Sequence, residues 1–323
     1  HVPGVLAHLV RVVAEPRGLE SERPARNAPL GMTGHLALDP LLADLGATGL
    51  ACTPSFALLL AERSEAAGVR NDNMDLSSRD IANLRTSDDF SETSYRGALT
   101  YRINDEVSTY VSMVESVAPP TIGVNPERGE QYELGLKYAP ANMNALFSAA
   151  IYELNKNDVT IAVVQENGTI ERETIGESRV QGLDLEARAE LTDTISVSGG
   201  YSYMESEVVR GTLRNGSSIE GNQFTAAPKH SASVWSFYTL PGRGISVGLG
   251  ARYTDSYFFD AANTAQSDSA TLFDAAFSYE LVEGTDLAVN VHNIFDEQHV
   301  VGSGTADYYN PGREVEATLS YRW

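Results

Sequence analysis

The chain has 323 residues, 42% of them hydrophobic and 8% aromatic, which is enough apolar material for a large buried surface and unlike a disordered composition. Its 44 acidic against 23 basic residues give a formal net charge of -21, which repels a phosphate backbone and excludes a nucleic-acid partner. A single cysteine, Cys52, excludes an intrachain disulfide and a thiolate metal cluster, and six histidines without ligand spacing give a metal site no support.

Residues 1–65 are rich in Leu, Ala, Arg and Pro and contain one aromatic residue, Phe56. Pro3, Pro16, Pro24, Pro29, Pro40 and Pro54 divide them into pieces too short for a stable helical domain. The opening HVPGVLAHLVRVVAEP has a faint signal-peptide character, interrupted by His8 and Arg11. The expectation is a poorly ordered segment, or one foreign to the fold that follows, such as an unrelated or misread leader. No apolar stretch reaches the roughly 18 residues that a membrane-spanning helix needs.

From residue 66 the hydrophobic period becomes two. In TSYRGALTYRI, Tyr95, Gly97, Leu99, Tyr101 and Ile103 face one way, and Arg96, Ala98, Thr100 and Arg102 the other. The split recurs in GEQYELGLKY, VQGLDLEARAEL, ISVGLGARYT and ATLFDAAFSYEL. Twelve strands are predicted near 66–76, 93–103, 106–117, 129–138, 143–155, 175–190, 194–207, 229–239, 244–254, 270–280, 285–293 and 312–323. Their connections alternate between long and short: 77–92, 118–128, 156–174, 208–228, 255–269 and 294–311 are long, with IND, APAN, LTD, PGRG and VEG between them. Short turns at one end and long loops at the other are the pattern of an all-β, antiparallel, transmembrane barrel of the outer-membrane type. Closure leaves no unpaired backbone edge in the hydrocarbon, so the apolar row faces lipid and the polar row the lumen. Tyr101, Tyr110, Tyr138, Tyr152, Tyr201, Tyr203, Tyr253, Tyr279 and Tyr321, near strand ends, are expected at the headgroup level.

The last strand, GREVEATLSYRW, places Val315, Ala317, Leu319, Tyr321 and Trp323 on the lipid-facing row. Its ending resembles the C-terminal signal by which outer-membrane proteins reach the barrel-assembly machinery, with Leu319, Tyr321 and Trp323 as the signal residues. Two loop clusters carry aromatic groups: Tyr257, Phe258 and Phe259 in DSYFFDAAN, and Tyr308 and Tyr309 in ADYYNPG. Exposed loop aromatics suit ligand binding; the competing and weightier reading is an outer aromatic belt or packing of loop against loop.

Several stretches resemble, in order, the C-terminal part of the barrel of TonB-dependent siderophore receptors, nearest the ferric hydroxamate (ferrichrome-type) branch. They are AGVRND, YRGALTYRINDEVSTYVSMVESVAP, NPERGEQYELGLKY, SRVQGLDLEARAEL, APKHSASVWSFYTL, VGLGARYTDS, VNVHNIFDEQHV and NPGREVEATLSYRW. The resemblance implies a 22-stranded barrel around a plug, of which residues 66–323 supply the C-terminal portion and 1–65 neither the plug nor the segment that engages TonB. It implies a bacterial outer-membrane receptor that breaks no bond, with no catalytic residue and no covalently bound cofactor, whose ligand is an Fe(III)-siderophore complex. The implied partners are the ferric siderophore, outer-membrane lipid, the assembly machinery and, where plug and N-terminal segment are present, the TonB complex. A passive diffusion channel and an inactive truncated receptor stay open as alternatives. An outer-membrane esterase is disfavoured, because Ser231 and His230, as strand neighbours, point to opposite faces.

Overall fold

The computed structural model describes residues 8–15, 63–79, 85–118, 122, 124–164, 170–174, 176–213, 216–304 and 306–322. Within them the chain is all strand and turn: β1 (His8–Glu15), β2 (Arg63–Arg79), β3 (Arg85–Arg102), β4 (Val107–Ala118), β5 (Glu127–Tyr138), β6 (Ala145–Asn157), β7 (Thr160–Val164), β8 (Ile170–Thr174), β9 (Glu177–Glu190), β10 (Ile195–Arg210), β11 (His230–Leu240), β12 (Ile245–Thr254), β13 (Ala270–Val282), β14 (Thr285–His292), β15 (Val300–Ser303), β16 (Asp307–Tyr309) and β17 (Glu314–Arg322). The main sheet runs β1-β17-β14-β13-β12-β11-β10-β9-β6-β5-β4-β3-β2. It is an antiparallel meander apart from β1, which lies parallel to β17 with His8 opposite Val315 and Glu15 opposite Arg322.

All twelve strands expected from the alternation are present in this meander. The division at 65/66 falls inside β2, which begins at Arg63, because the polar residues Arg63, Ser64 and Glu65 carry no apolar alternation yet still pair with Tyr101, Thr100 and Leu99. The connection expected over 77–92 is mostly ladder: β2 and β3 stay paired as far as Arg79 and Arg85. Pairing beyond the hydrocarbon needs backbone groups and not an apolar row, so hydropathy did not reveal it. Residues 1–7 and 16–62 lie outside the described residues, as does Trp323.

Residues directly opposite one another share a face, so a row can be followed across the sheet. Leu99, Val111, Leu134, Ile151, Leu183 and Tyr203 form one such row. Its neighbours Tyr95, Tyr101, Leu136, Leu185 and Leu249 are exposed, as a lipid-facing band requires. The opposite row is polar and closely packed, with Thr100, Lys137, Asp274, Asn290 and Thr318 buried.

Aromatic rings on the lumen row lie over glycines of the adjacent strand. Tyr110 covers Gly135, Tyr152 covers Gly182, Phe237 covers Gly248 and Trp235 covers Gly250; a Cβ at any of these glycines would fall inside the ring's van der Waals contact. Trp235 and Phe237 stack with centroids 5.6 Å apart. Tyr110 and Tyr152 therefore stand on the lumen side and not in the headgroup belt expected for them. Proximity to a strand end was a poor guide there, because a facing glycine gives a ring room to lie flat on the inner wall.

The turns explain the short connections. Asn104 Oδ1 accepts the Glu106 and Val107 N–H groups at 2.8 Å each, and Thr192 Oγ1 accepts that of Ile195 at 3.0 Å. In PGRG, Gly242 and Gly244 take φ of 68° and 61°, a region that side chains disfavour. The antiparallel meander puts these turns at one end and the connections 119–126, 158–176, 211–229, 255–269 and 293–313 at the other.

Candidate functional site

The long connections at β10–β11 and β12–β13 are locked to each other. Asn222 Nδ2 donates to the Ala261 carbonyl at 2.8 Å, Asn263 Nδ2 to the Gln223 carbonyl at 3.0 Å, and the Gln223 N–H to Asn263 Oδ1 at 2.7 Å. The Ala226 N–H reaches the Phe258 carbonyl at 3.0 Å. Beneath them Val159, Val208 and Ile219 form a small apolar core with Leu213, Phe224 and Ala261 against it. Asp260 accepts the Thr264 and Ala265 N–H groups at 2.9 and 2.8 Å, which folds DSYFFDAAN back on itself.

The last long connection is held at its neck. Asp274 on β13 is 1% exposed and accepts two hydrogen bonds from Arg252, at 2.7 and 3.0 Å, and one from the Asn293 N–H at 2.9 Å. His292 Nδ1 lies 3.8 Å from the same carboxylate. Asn293, with φ of 52°, donates its amide to the Glu297 carbonyl at 2.8 Å and accepts the Glu297 N–H at 2.9 Å. Asp296, with φ of 58°, accepts the Arg313 N–H at 2.7 Å. Asn and Asp tolerate the left-handed region and satisfy nearby backbone groups, so NIFDE makes a tight corner that joins both ends of the loop. Above it Asn310 Nδ2 donates to the Glu297 carbonyl at 2.9 Å, and the β15–β16 hairpin follows.

Of the aromatic candidates, Tyr257 and Phe259 meet edge to face at 5.6 Å, and Phe258 joins Thr225 and Gln266 through its backbone. The Tyr257 hydroxyl donates to the Val301 carbonyl on β15 at 3.0 Å, which brings that cluster against the hairpin carrying Tyr308 and Tyr309. Burial pushes the Tyr257 phenol above its ordinary range. Tyr308 and Tyr309 are 61% and 59% exposed, whereas Tyr257, Phe258 and Phe259 are half-buried. The first cluster is thus packed against other loops, and the second is open to solvent. Leu319 and Tyr321 stand on the lipid-facing row, Tyr321 opposite Thr285.

The sequence reading missed the Arg252, Asp274 and Asn293 anchor. A charged residue one step from Phe273 in an apolar strand, followed by HNIFD after the next strand, was the available signal. It also missed how Lys137 is held: the side chain is 5% exposed, with its ammonium 5.4 Å from the centre of the Tyr110 ring.

Residues 66–294 match the family described as TonB dependent receptor-like, beta-barrel. The chain belongs to the TonB-dependent receptor barrel family. This TonB-dependent barrel is 31% identical over 258 residues to the ferrichrome outer membrane transporter/phage receptor of Escherichia coli K12, covering 75% of the chain and 34% of that protein. It is 34% identical over 242 residues to the ferrioxamine receptor of Yersinia enterocolitica, covering 71% and 33%. The crystal structure of the siderophore receptor PiuA from Acinetobacter baumannii superposes with a TM-score of 0.65 at 25% identity, covering 79% of this chain and 40% of PiuA. The chain spans about a third of the length of its two sequence relatives. It is an outer-membrane barrel protein, and its relatives are receptors and transporters.

Proposed function

We propose that residues 66–323 are the C-terminal portion of the wall and mouth of a receptor that takes up an Fe(III)-siderophore complex. The observation that carries this reading is the pinned mouth: three long connections tied together by side-chain hydrogen bonds, presenting Tyr308 and Tyr309 to solvent at the long-loop end. Rigid aromatic groups give contact area at small entropic cost, which suits a bulky chelate. In a protein that also carries a plug, capture at the mouth precedes release driven through TonB. The chain's own groups bind and orient the ligand, and no bond is made or broken.

The partners follow from the two faces. Outer-membrane lipid covers the apolar row, and Leu319, Tyr321 and Trp323 present the chain to the barrel-assembly machinery. Of residues 1–65, the stretch between β1 and β2 is foreign to the barrel, whereas β1 and the start of β2 pair with its strands. The test is quenching of intrinsic fluorescence by ferrichrome and by ferrioxamine B, using the whole chain folded in lipid vesicles. Saturable quenching that weakens about tenfold in Tyr308→Ala/Tyr309→Ala supports the reading, since two exposed anchors are worth about 1–2 kcal/mol. Steady ionic conductance without saturable quenching replaces it with a diffusion channel.

A further inference from the structure

The lipid-facing band is not evenly filled. Midway along the sheet it contains a hollow of about 500 Å³ whose walls are almost wholly carbon. The hollow follows one row of directly opposed residues, from Tyr138 on β5 through Phe147, Ala187 and Gly199 to Val234 on β11. Ala187 and Gly199 make the floor, because neither has a side chain beyond Cβ. Tyr138 and Phe147, stacked at 6.0 Å, line its lower end, and Leu185 and Tyr201 in the next row line its upper side.

The position of this hollow decides what fills it. Tyr138 is the last residue of β5 at the short-turn end, whereas Val234 stands six residues before the end of β11 at Leu240. The row therefore climbs from the periplasmic interface into the membrane, and four strand spacings make it about 19 Å long. Its five strands are flanked on both sides by further strands of the sheet, so a strand added at either edge leaves it open. It is continuous with the surface that faces lipid, and a gap left empty there forfeits dispersion contacts along its whole lining.

We propose that the hollow holds one acyl chain of a phospholipid from the periplasmic leaflet, glycerol end at Tyr138 and methyl end toward Tyr201. A chain lying in it is held longer than those against the level part of the band around Leu249 and Phe273.

The test uses the whole chain in vesicles of phosphatidylethanolamine and phosphatidylglycerol doped with phosphatidylcholine bearing a diazirine early or late in one acyl chain. After photolysis the expected result is several-fold more label on peptides 136–149 and 185–201 than on 247–249 and 273–277. The early diazirine should favour Tyr138 and Phe147, and the late one Gly199 and Tyr201. Filling the floor with Ala187→Leu should lower the label there to the level of the rest of the band. Even labelling around the band overturns the proposal, as does the reverse order along the row, which would mean a chain from the outer leaflet. Cross-links between two copies at these peptides overturn it in favour of self-association. The unsubstituted chain decides the matter even if the variant assembles poorly.

Discussion

On β12, Val247 and Leu249 look outward and are 41% and 62% exposed, while the alternate residues Gly248 and Gly250 lie beneath Phe237 and Trp235. Neighbours in one strand thus belong to two different packing regimes. The outward row is defined by being apolar and meets a fluid solvent of lipid chains, so shape matters little along most of it. The inward row is defined by who stands opposite: a ring needs a glycine, and Asp274 needs Arg252 on the next strand. The difference teaches that the lipid face of such a wall tolerates exchange among apolar residues, whereas the lumen face is specified pair by pair.

The sharpest way to break this contrast is at Asp274. Asp274→Ala leaves Arg252 without its carboxylate and the Asn293 N–H without an acceptor, and should cost about 3–4 kcal/mol in urea unfolding of the vesicle-folded chain. Asp274→Asn keeps an acceptor for Asn293 and should recover part of the loss. Next is a charge on the other face. Leu249→Arg, five residues into the ten-residue β12, should cost about 3 kcal/mol, because at that depth the guanidinium has no water, whereas Leu249→Ile should be nearly silent.

A smaller effect separates two glycines. Gly250→Ala pushes a methyl group into the Trp235 ring and should cost about 2 kcal/mol with a shift in tryptophan emission. Gly97→Ala on the lipid side has its nearest neighbour, the Ala66 carbonyl, at 3.9 Å and should change stability by less than about 0.5 kcal/mol. Equal losses at both positions would erase the distinction between the faces.

The smallest effect lies at the mouth. Tyr257→Phe removes the hydrogen bond to the Val301 carbonyl and should loosen the β15–β16 hairpin by about 1 kcal/mol, read as faster hydrogen exchange over 300–309. The half-buried phenol also sets a pH dependence. Its ionisation is raised above the ordinary range, so the docked loop is unaffected at lower pH and loses stability as pH rises past the point where the unfolded phenol ionises. Hydrogen exchange across that interval should show the loss in the unsubstituted chain and not in Tyr257→Phe.

Much of this architecture was legible beforehand. Period-two alternation was clean in most of the twelve meander strands and mixed in NALFSAAIYEL and HSASVWSFYTL, and the long-short rhythm of connections oriented them, because both follow from crossing a bilayer with paired backbone. The aromatic loop clusters were visible as DSYFFDAAN and ADYYNPG. That Tyr257 is half-buried against Val301 while Tyr308 and Tyr309 are open was not visible, since it depends on which loops meet at the rim. The β7–β8 and β15–β16 hairpins were hidden for a related reason: they pair at the rim, inside connections that read as long loops.

The kind of wall and its alternation of an apolar with a polar row could be read from the chain alone, because alternation is a local property written residue by residue. Only the tertiary structure decided the cross-strand partners: that Tyr110 and Tyr152 turn inward over Gly135 and Gly182, that Asp274 ties Arg252 to the neck of the last loop, and that Ala187 and Gly199 fall side by side in a hollow. Register sets these pairings, and register is a relation between segments far apart in the chain that no single strand states.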